Sequence, residues 1–112
     1  MQLAERNVGP NIVLEVLEDR LAADKAADFK QAVGRHLTGG VASVVLDLSR
    51  VNFIDSSGLG AILSILKRMP KGSELILCGT NEPVTSMFKL TRLDRVFTMR
   101  RNVEEAVSAL SI

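Results

Sequence analysis

The chain has 112 residues, of which 46% are hydrophobic, and its formal net charge is +1. We expect one compact domain over residues 1–112, because this length and apolar content suffice for a single core. A charge near zero gives no reason to expect a nucleic-acid partner. Four Phe, without Trp or Tyr, also offer few platforms for base stacking.

The single cysteine, Cys78, can form neither an internal disulfide nor a cysteine-based metal site, and it suits a reducing, cytoplasmic setting. The N-terminus lacks the charged and then apolar pattern of a signal peptide. No segment approaches the ~18 apolar residues that a membrane-spanning helix needs. We therefore expect no membrane insertion, and no motif predicts a metal or another cofactor.

Two short strands open the chain. Residues 12–17 are rich in branched apolar side chains, which favours a strand, and residues 3–6 form a weaker candidate. Gly-Pro-Asn at residues 9–11 signals a turn, so we expect the two strands to pair as a hairpin. A charged loop, residues 18–21, follows them.

From about Ala22, apolar residues recur three or four apart, which predicts a helix that ends at the two glycines 39–40. Its apolar face comprises Ala22, Ala26, Phe29, Val33 and Leu37. Residues 43–48 are almost continuously apolar, as in strands buried on both faces of a parallel sheet. A second helix begins near Ser57, and its buried stripe comprises Leu59, Ile62, Leu63, Leu66 and Met69.

The second half of the chain continues the alternation of strands and helices. Residues 74–78 predict a third core strand, and residues 95–99 are a candidate edge strand. Pro83 suits the first position of the helix between them, and we expect Leu90 and Leu93 to pack beyond that helix. Asn102 and Glu105 have the spacing of a capping box for a last helix. The order ββαβαβαβα predicts an α/β domain with a mixed sheet of about five strands, about four helices and right-handed crossovers.

A polar turn, Asp-Ser-Ser-Gly at residues 55–58, lies where a buried strand gives way to a helix, and functional sites of open α/β sheets gather at such places. Backbone N–H groups at a helix start favour negative charge, so a phosphate on Ser56 or Ser57 would lie at the positive end. Gly58 leaves room for another backbone or for a kinase active site. The alternative is that the aspartate or a serine is only a helix cap.

The outer stripe of the same predicted helix carries small side chains. At helical spacing it comprises Ser57, Ala61, Ser64 and Arg68, with Gly60 beside it. Small residues on an exposed helix face would let a partner approach closely. An ordinary solvated face is the alternative interpretation.

Residues 45–48, Val-Leu-Asp-Leu, and 53–60, Phe-Ile-Asp-Ser-Ser-Gly-Leu-Gly, together resemble the signature of anti-sigma-factor antagonists, which are stand-alone STAS domains. Residues 74–79, 83–84 and 87–94 resemble the later strand and helix of that family. The resemblance implies a non-enzymatic protein that binds, when unphosphorylated, an anti-sigma factor that is often also a serine kinase. It further implies phosphorylation on the first serine of the motif, Ser56, and reactivation by a PP2C-type, metal-dependent phosphatase.

The resemblance also suggests a partner-binding surface around that serine, next to Asp55, Ser57 and Gly58. The expected partner-binding residues are Asp19, Arg20, Leu21, Leu59, Gly60, Ala61, Ser64 and Arg68. Many family members carry Leu-x-Gly-x-Leu-Asp before the first helix, whereas residues 17–22 here read Leu-Glu-Asp-Arg-Leu-Ala. Asp19 thus replaces the glycine and Ala22 replaces the aspartate of a loop that flanks the phosphorylation site in the family.

Two other functional classes fit parts of the sequence. A STAS accessory subunit would regulate a transporter or bind a small ligand without phosphorylation. A small serine hydrolase would need a base, but the only histidine, His36, lies alone near a predicted helix end, and neither serine has the glycine two residues earlier that a nucleophile elbow requires. A basic region is either a solvated rim or a docking patch for an acidic partner. It comprises Lys89, Arg92, Arg95, Arg100 and Arg101.

Overall fold

The computed structural model describes residues 1–37 and 42–110. Its strands are β1 (Leu3–Val8), β2 (Asn11–Val16), β3 (Arg20–Leu21), β4 (Ser43–Asp47), β5 (Phe53–Ile54), β6 (Glu74–Cys78) and β7 (Thr98–Arg100). Its helices are α1 (Ala23–Gly34), α2 (Ser56–Arg68), α3 (Glu82–Leu90) and α4 (Val103–Leu110), and a 3-10 turn, η1, spans Leu93–Arg95. Among the described residues no helix is both long enough and apolar enough to cross a bilayer.

Five of the strands form one mixed sheet in the order β1-β2-β4-β6-β7. Strand β1 is antiparallel to β2, as the predicted hairpin requires, and the other neighbours are parallel. Parallel neighbours need a long connection, and α1, α2 and α3 provide the three crossovers. The predicted α/β class and the order of the main elements are confirmed.

The alternation of side chains along β4 explains why the middle of this strand, residues 44–46, is continuously apolar. Val44 and Leu46 face the main core, which α1, α2 and α3 cover, whereas Val45 faces the opposite side of the sheet. Helix α4 covers that second side through Ala106, which is fully buried. Each fully buried Val or Leu contributes roughly 1.5–3 kcal/mol relative to an exposed one, so both layers hold β4 in the centre of the domain.

The interpretation of residues 18–21 as a loop is wrong for its last two residues. Arg20 and Leu21 form β3, which pairs in parallel with Phe53 and Ile54 of β5. Leu21 and Ile54 point into the main core, while Arg20 and Phe53 point outwards. Two residues are too few for a periodic pattern, so only the pairing between distant segments reveals these strands.

Two helix ends show how local chemistry sets boundaries. Helix α1 ends at Gly34, earlier than predicted, and the glycines 39–40 lie outside the described residues. Helix α4 begins as predicted, because the Glu105 N–H donates to Asn102 Oδ1 at 2.9 Å. The reciprocal bond of the capping box is displaced by one residue, since Glu105 Oε1 accepts from the Arg101 N–H at 3.3 Å.

The segment around α3 departs from the prediction in three details. Asn81 caps α3, so Pro83 occupies its second position and not its first. The edge strand is β7, which begins three residues later than predicted because η1 occupies the preceding segment. Leu90, expected to pack beyond α3, is instead 79% exposed.

Candidate partner-binding and phosphorylation site

Asp55 joins the starts of two helices. Its Oδ1 accepts the Gly58 N–H at 2.9 Å and thereby caps α2. Its Oδ2 accepts the N–H of Ala23, the first residue of α1, at 3.2 Å. Ala22, the residue at the N-cap of α1, has no side-chain acceptor, so Asp55 supplies one from another part of the chain. The capping interpretation therefore holds for Asp55, while Ser56 and Ser57 are the first two residues of the helix.

These hydrogen bonds favour the charged form of Asp55. The Gly58 N–H, and after it the Ala23 and Ser57 N–H groups, hold the pKa of the Asp55 carboxyl below its usual range, against an opposing effect of desolvation. The positive ends of two helices favour the same charged form. Asp55 is therefore a carboxylate at neutral pH.

Replacing Asp55 with Asn should make stability less dependent on pH on the acid side. A carboxyl whose pKa is lowered by folding stabilises the native state above its unfolded pKa of about 3.9. That contribution is lost as the pH falls through the lower native pKa. We expect the wild type to exceed Asp55→Asn in unfolding free energy at pH 7, and the gap to narrow steadily from about pH 5 downwards.

Urea denaturation at a series of pH values measures this gap. Asp28→Asn, on the exposed side of α1, controls for the loss of one negative charge. A gap between the wild type and Asp55→Asn that stays constant from pH 7 to pH 3 would contradict the assigned cause.

Gly58 serves the protein's own packing. A Cβ atom at this buried position would overlap the Leu21 carbonyl oxygen and lie 2.8 Å from Ile54 Cγ1. The Asp55 N–H also donates to the Leu21 carbonyl, at 3.4 Å. The first turn of α2 thus lies directly against β3. The sequence correctly suggests the close approach of a backbone, but the space at Gly58 is filled by this chain and not left for a partner.

Asn81 holds the segment that leads to Ser56. Asn81 Nδ2 donates to the Val51 carbonyl at 2.7 Å and to Asn52 Oδ1 at 3.0 Å, while its Oδ1 accepts the Val84 N–H at 3.4 Å. The Asn52 N–H in turn donates to the Asp19 carbonyl at 2.8 Å. The start of α3 is therefore hydrogen-bonded to the segment before β5, and that segment is hydrogen-bonded to the segment before β3.

Ser56 and Ser57 are both exposed at the start of α2. Neither side chain has a hydrogen-bond partner within the described part of the chain, so neither hydroxyl is engaged in the fold. A modifying enzyme could reach either group. The choice of Ser56 therefore comes from the motif, and it stays a prediction.

Four of the residues expected to bind a partner are exposed. Asp19, Arg20 and Gly60 are exposed, and a Cβ added at Gly60 would meet nothing within 4 Å. Arg68 is exposed as well, but its guanidinium crosses to α1, where a Cβ at Gly34 would lie 2.8 Å from Nη2. Arg68 therefore bridges α1 and α2 at the far end of α2.

The remaining expected partner-binding residues are less accessible. Ser64 is half-buried, whereas Leu21, Leu59 and Ala61 are 0%, 4% and 3% exposed. These three side chains are therefore not accessible to a partner in the folded domain, and the predicted position of Ala61 on an outer stripe is wrong. The reason is that α2 packs against α1 and also contributes to the main core, so that it buries a broader face than the predicted stripe allows.

Phe53 is the residue that the sequence interpretation missed. Its ring is 45% exposed, and the Arg20 guanidinium carbon lies 4.7 Å from the ring centroid. Alternation with the buried Ile54 could have revealed its outward direction, had a strand been recognised there. We define the Ser56 surface as Asp19, Arg20, Phe53, Ser56, Ser57 and Gly60.

The other chemically distinctive side chains are engaged elsewhere. His36 Nδ1 lies 3.3 Å from Glu5 Oε2, on β1. Cys78 is fully buried, and burial, with a further effect of the nearby Asp47 charge, raises the pKa of its thiol to about 12. Neither the imidazole nor the thiol is hydrogen-bonded to Ser56 or Ser57. Within the described residues, no group of three or more His, Cys, Asp and Glu side chains could hold a metal ion.

Comparison with known proteins gives the family. Residues 5–106 match the STAS domain. The chain belongs to the STAS domain family. Over 70 residues it is 34% identical to the anti-sigma F factor antagonist of Paenibacillus polymyxa. The aligned residues cover 62% of this chain and 60% of that protein. The chain therefore spans less than two thirds of that relative's length.

Solved STAS structures share the fold over nearly the whole chain. A Thermotoga maritima protein described as an anti-sigma factor antagonist, TM1081, has a TM-score of 0.84 and 31% identity, and the match covers 96% of this chain and 92% of that one. The anti-sigma factor antagonist SpoIIAA in its unphosphorylated form has a TM-score of 0.73 and 20% identity, covering 99% and 100% of the two chains. At that identity the second likeness shows the fold alone.

Proposed function

We propose that this STAS protein is an anti-sigma factor antagonist that acts as a phosphorylation-controlled binding switch. Its unphosphorylated form binds an anti-sigma factor that is also a serine kinase, and so releases the sigma factor or other target held by that kinase. Phosphorylation of Ser56 ends the binding, and a PP2C-type phosphatase restores the active form. The protein itself contributes binding and no catalytic step, and it acts in the cytoplasm, where the kinase finds ATP.

The observation that carries this proposal is the state of Ser56. Its hydroxyl is exposed at the first position of α2 and has no hydrogen-bond partner in the described part of the chain. A kinase needs such a reachable hydroxyl. The names of the relatives support the antagonist role, and the existence of a structure of SpoIIAA in a phosphorylated form supports the phosphorylation step.

The Ser56 surface is the proposed docking site for the anti-sigma factor. Gly60 leaves open space one helical turn from Ser56, which suits close approach of a partner. Ser64 and Arg68 lie further along α2 and form the margin of the site. Asp19 and Arg20 place one charge of each sign at the opposite margin, so the partner needs complementary charges there.

The direct test is to incubate the protein with its cognate anti-sigma factor kinase and ATP, and to map phosphate by mass spectrometry. We expect one phosphate, on Ser56. Ser57→Ala should be phosphorylated like the wild type, whereas Ser56→Ala should stay unmodified. Phosphate on any other residue, or none on the wild type, would refute the proposed switch.

A further inference from the structure

Arg20 and Phe53 form an exposed pair beside Ser56. The parallel register of β3 and β5 places the two residues opposite each other, and both point away from the core. The guanidinium carbon of Arg20 lies 4.7 Å from the ring centroid of Phe53, a cation–π distance. The ring therefore holds the guanidinium on the surface next to the phosphorylation site.

The Arg20 guanidinium is available for another ligand. It makes no ion pair or hydrogen bond to the described residues, whereas the exposed Arg50 is bound to Glu15 at 3.1 Å. The Asp55 carboxylate does not compete for it, because both Asp55 oxygens accept backbone N–H groups. The other nearby acid is Asp19, which precedes Arg20 in the chain. A cation–π contact at an exposed site is weak compared with a charge-assisted bond between arginine and phosphate.

A phosphate on Ser56 would lie within reach of this guanidinium. Ser56 follows Phe53 by three residues, so their Cα atoms are at most about 10 Å apart, and paired strands lie only ~4.8 Å apart. The packing of Gly58 against the Leu21 carbonyl keeps β3 against the first turn of α2. A short swing of a long, exposed side chain is thus enough to bring Arg20 to the phosphate.

We propose that Arg20 is the phosphate-binding residue of the switch: its guanidinium stacks on Phe53 in the unphosphorylated protein and moves to the phosphate when Ser56 is modified. This inference rests on the proposed function. Phosphorylation then changes the Ser56 surface in three ways at once. It adds negative charge, it removes an exposed cation, and it uncovers the face of Phe53.

The test needs neither the kinase nor the partner, because phosphoserine can be installed at position 56 during translation. Phosphorus NMR then measures the second pKa of the phosphate, which is about 6 for an ordinary phosphoserine. We expect Arg20→Gln to raise this pKa by about half a unit or more, because the variant loses a cation next to the dianion. Arg50→Gln, the matched control on an arginine bound elsewhere, should leave the phosphate pKa unchanged.

Proton NMR of the Arg20 side chain is the second readout. Its methylene signals should show the ring-current shift of Phe53 in the unphosphorylated protein and lose it in the phosphorylated one. An unchanged phosphate pKa in Arg20→Gln, or a ring-current shift that persists after phosphorylation, would overturn the inference. Both results are independent of whether a kinase modifies Ser56. A failure of this inference can therefore be distinguished from a failure of the proposed function.

Discussion

Phosphorylation of Ser56 should weaken binding to the anti-sigma factor roughly a hundredfold, which corresponds to about 3 kcal/mol. The phosphate adds roughly −1.5 to −2 charge. It enters the Ser56 surface next to the Asp55 carboxylate, whose pKa helix-start N–H groups hold below its usual range. A partner surface that fits the neutral hydroxyl leaves this added charge desolvated and unpaired, and an uncompensated charge or a like-charge contact at an interface costs several kcal/mol. The effect is local, so no rearrangement of the fold is required.

Isothermal titration calorimetry with the purified anti-sigma factor measures this loss. Ser56→Ala should bind like the unmodified wild type, and Ser56→Asp should bind more weakly, although a single added charge gives less than the full effect. Ser86→Asp adds the same charge on the exposed side of α3 and should bind like the wild type. Equal affinities of Ser56→Ala and Ser56→Asp would mean that charge at this position does not control binding.

Gly58→Ala should destabilise the domain by about 3 kcal/mol, at the upper end of the usual cost of overpacking. The added methyl group would meet the Leu21 carbonyl oxygen, which is rigid backbone and cannot rotate away as a side chain could. Either β3 or the first turn of α2 must therefore move, and the hydrogen bonds of Asp55 move with them. The total stability of a small domain is only about 5–15 kcal/mol, so this loss is a large fraction.

Gly60→Ala, two residues further along α2, is the matched control. A Cβ at Gly60 meets nothing within 4 Å, so the variant should gain about 0.5–1 kcal/mol from the better helix propensity of alanine. Guanidinium denaturation curves with equal slopes would give both values from their midpoints. A Gly58→Ala variant as stable as Gly60→Ala would show that the packing of β3 against α2 adjusts at little cost.

Elements with a strong local pattern could be predicted from the sequence. The strand 74–78 was predicted with the bounds that β6 has, because continuous apolar residues between turn signals leave few alternatives. The N-terminal end of α4 was predicted from a cap that forms as expected. Strands β3 and β5 could not be predicted, since two residues carry no period and each strand exists only through pairing with the other.

The sequence alone determined two features, the motif Asp-Ser-Ser-Gly and the alternation of strands and helices. Both depend only on residues that are close together in the chain. They indicate the start of α2 as the candidate functional region, and the family that the motif resembles implies a binding switch there. What the sequence could not supply is the set of contacts between segments that are distant in the chain. Asp55 caps α1 from 32 residues away, and Leu21 occupies the space that Gly58 leaves free.

The same cause explains why the exposed residues around Ser56 differ from those that the sequence predicts. Helical spacing places Ala61 on the outer face of α2 and says nothing about Phe53. The reason is that helical spacing describes one helix and not the elements that pack against that helix. Ala61 is buried in the main core, and the pairing of β3 with β5 turns Phe53 and Arg20 to the surface. The sequence thus predicts where the proposed switch lies, whereas the tertiary structure decides which side chains surround Ser56, since burial depends on the neighbours that the fold brings together.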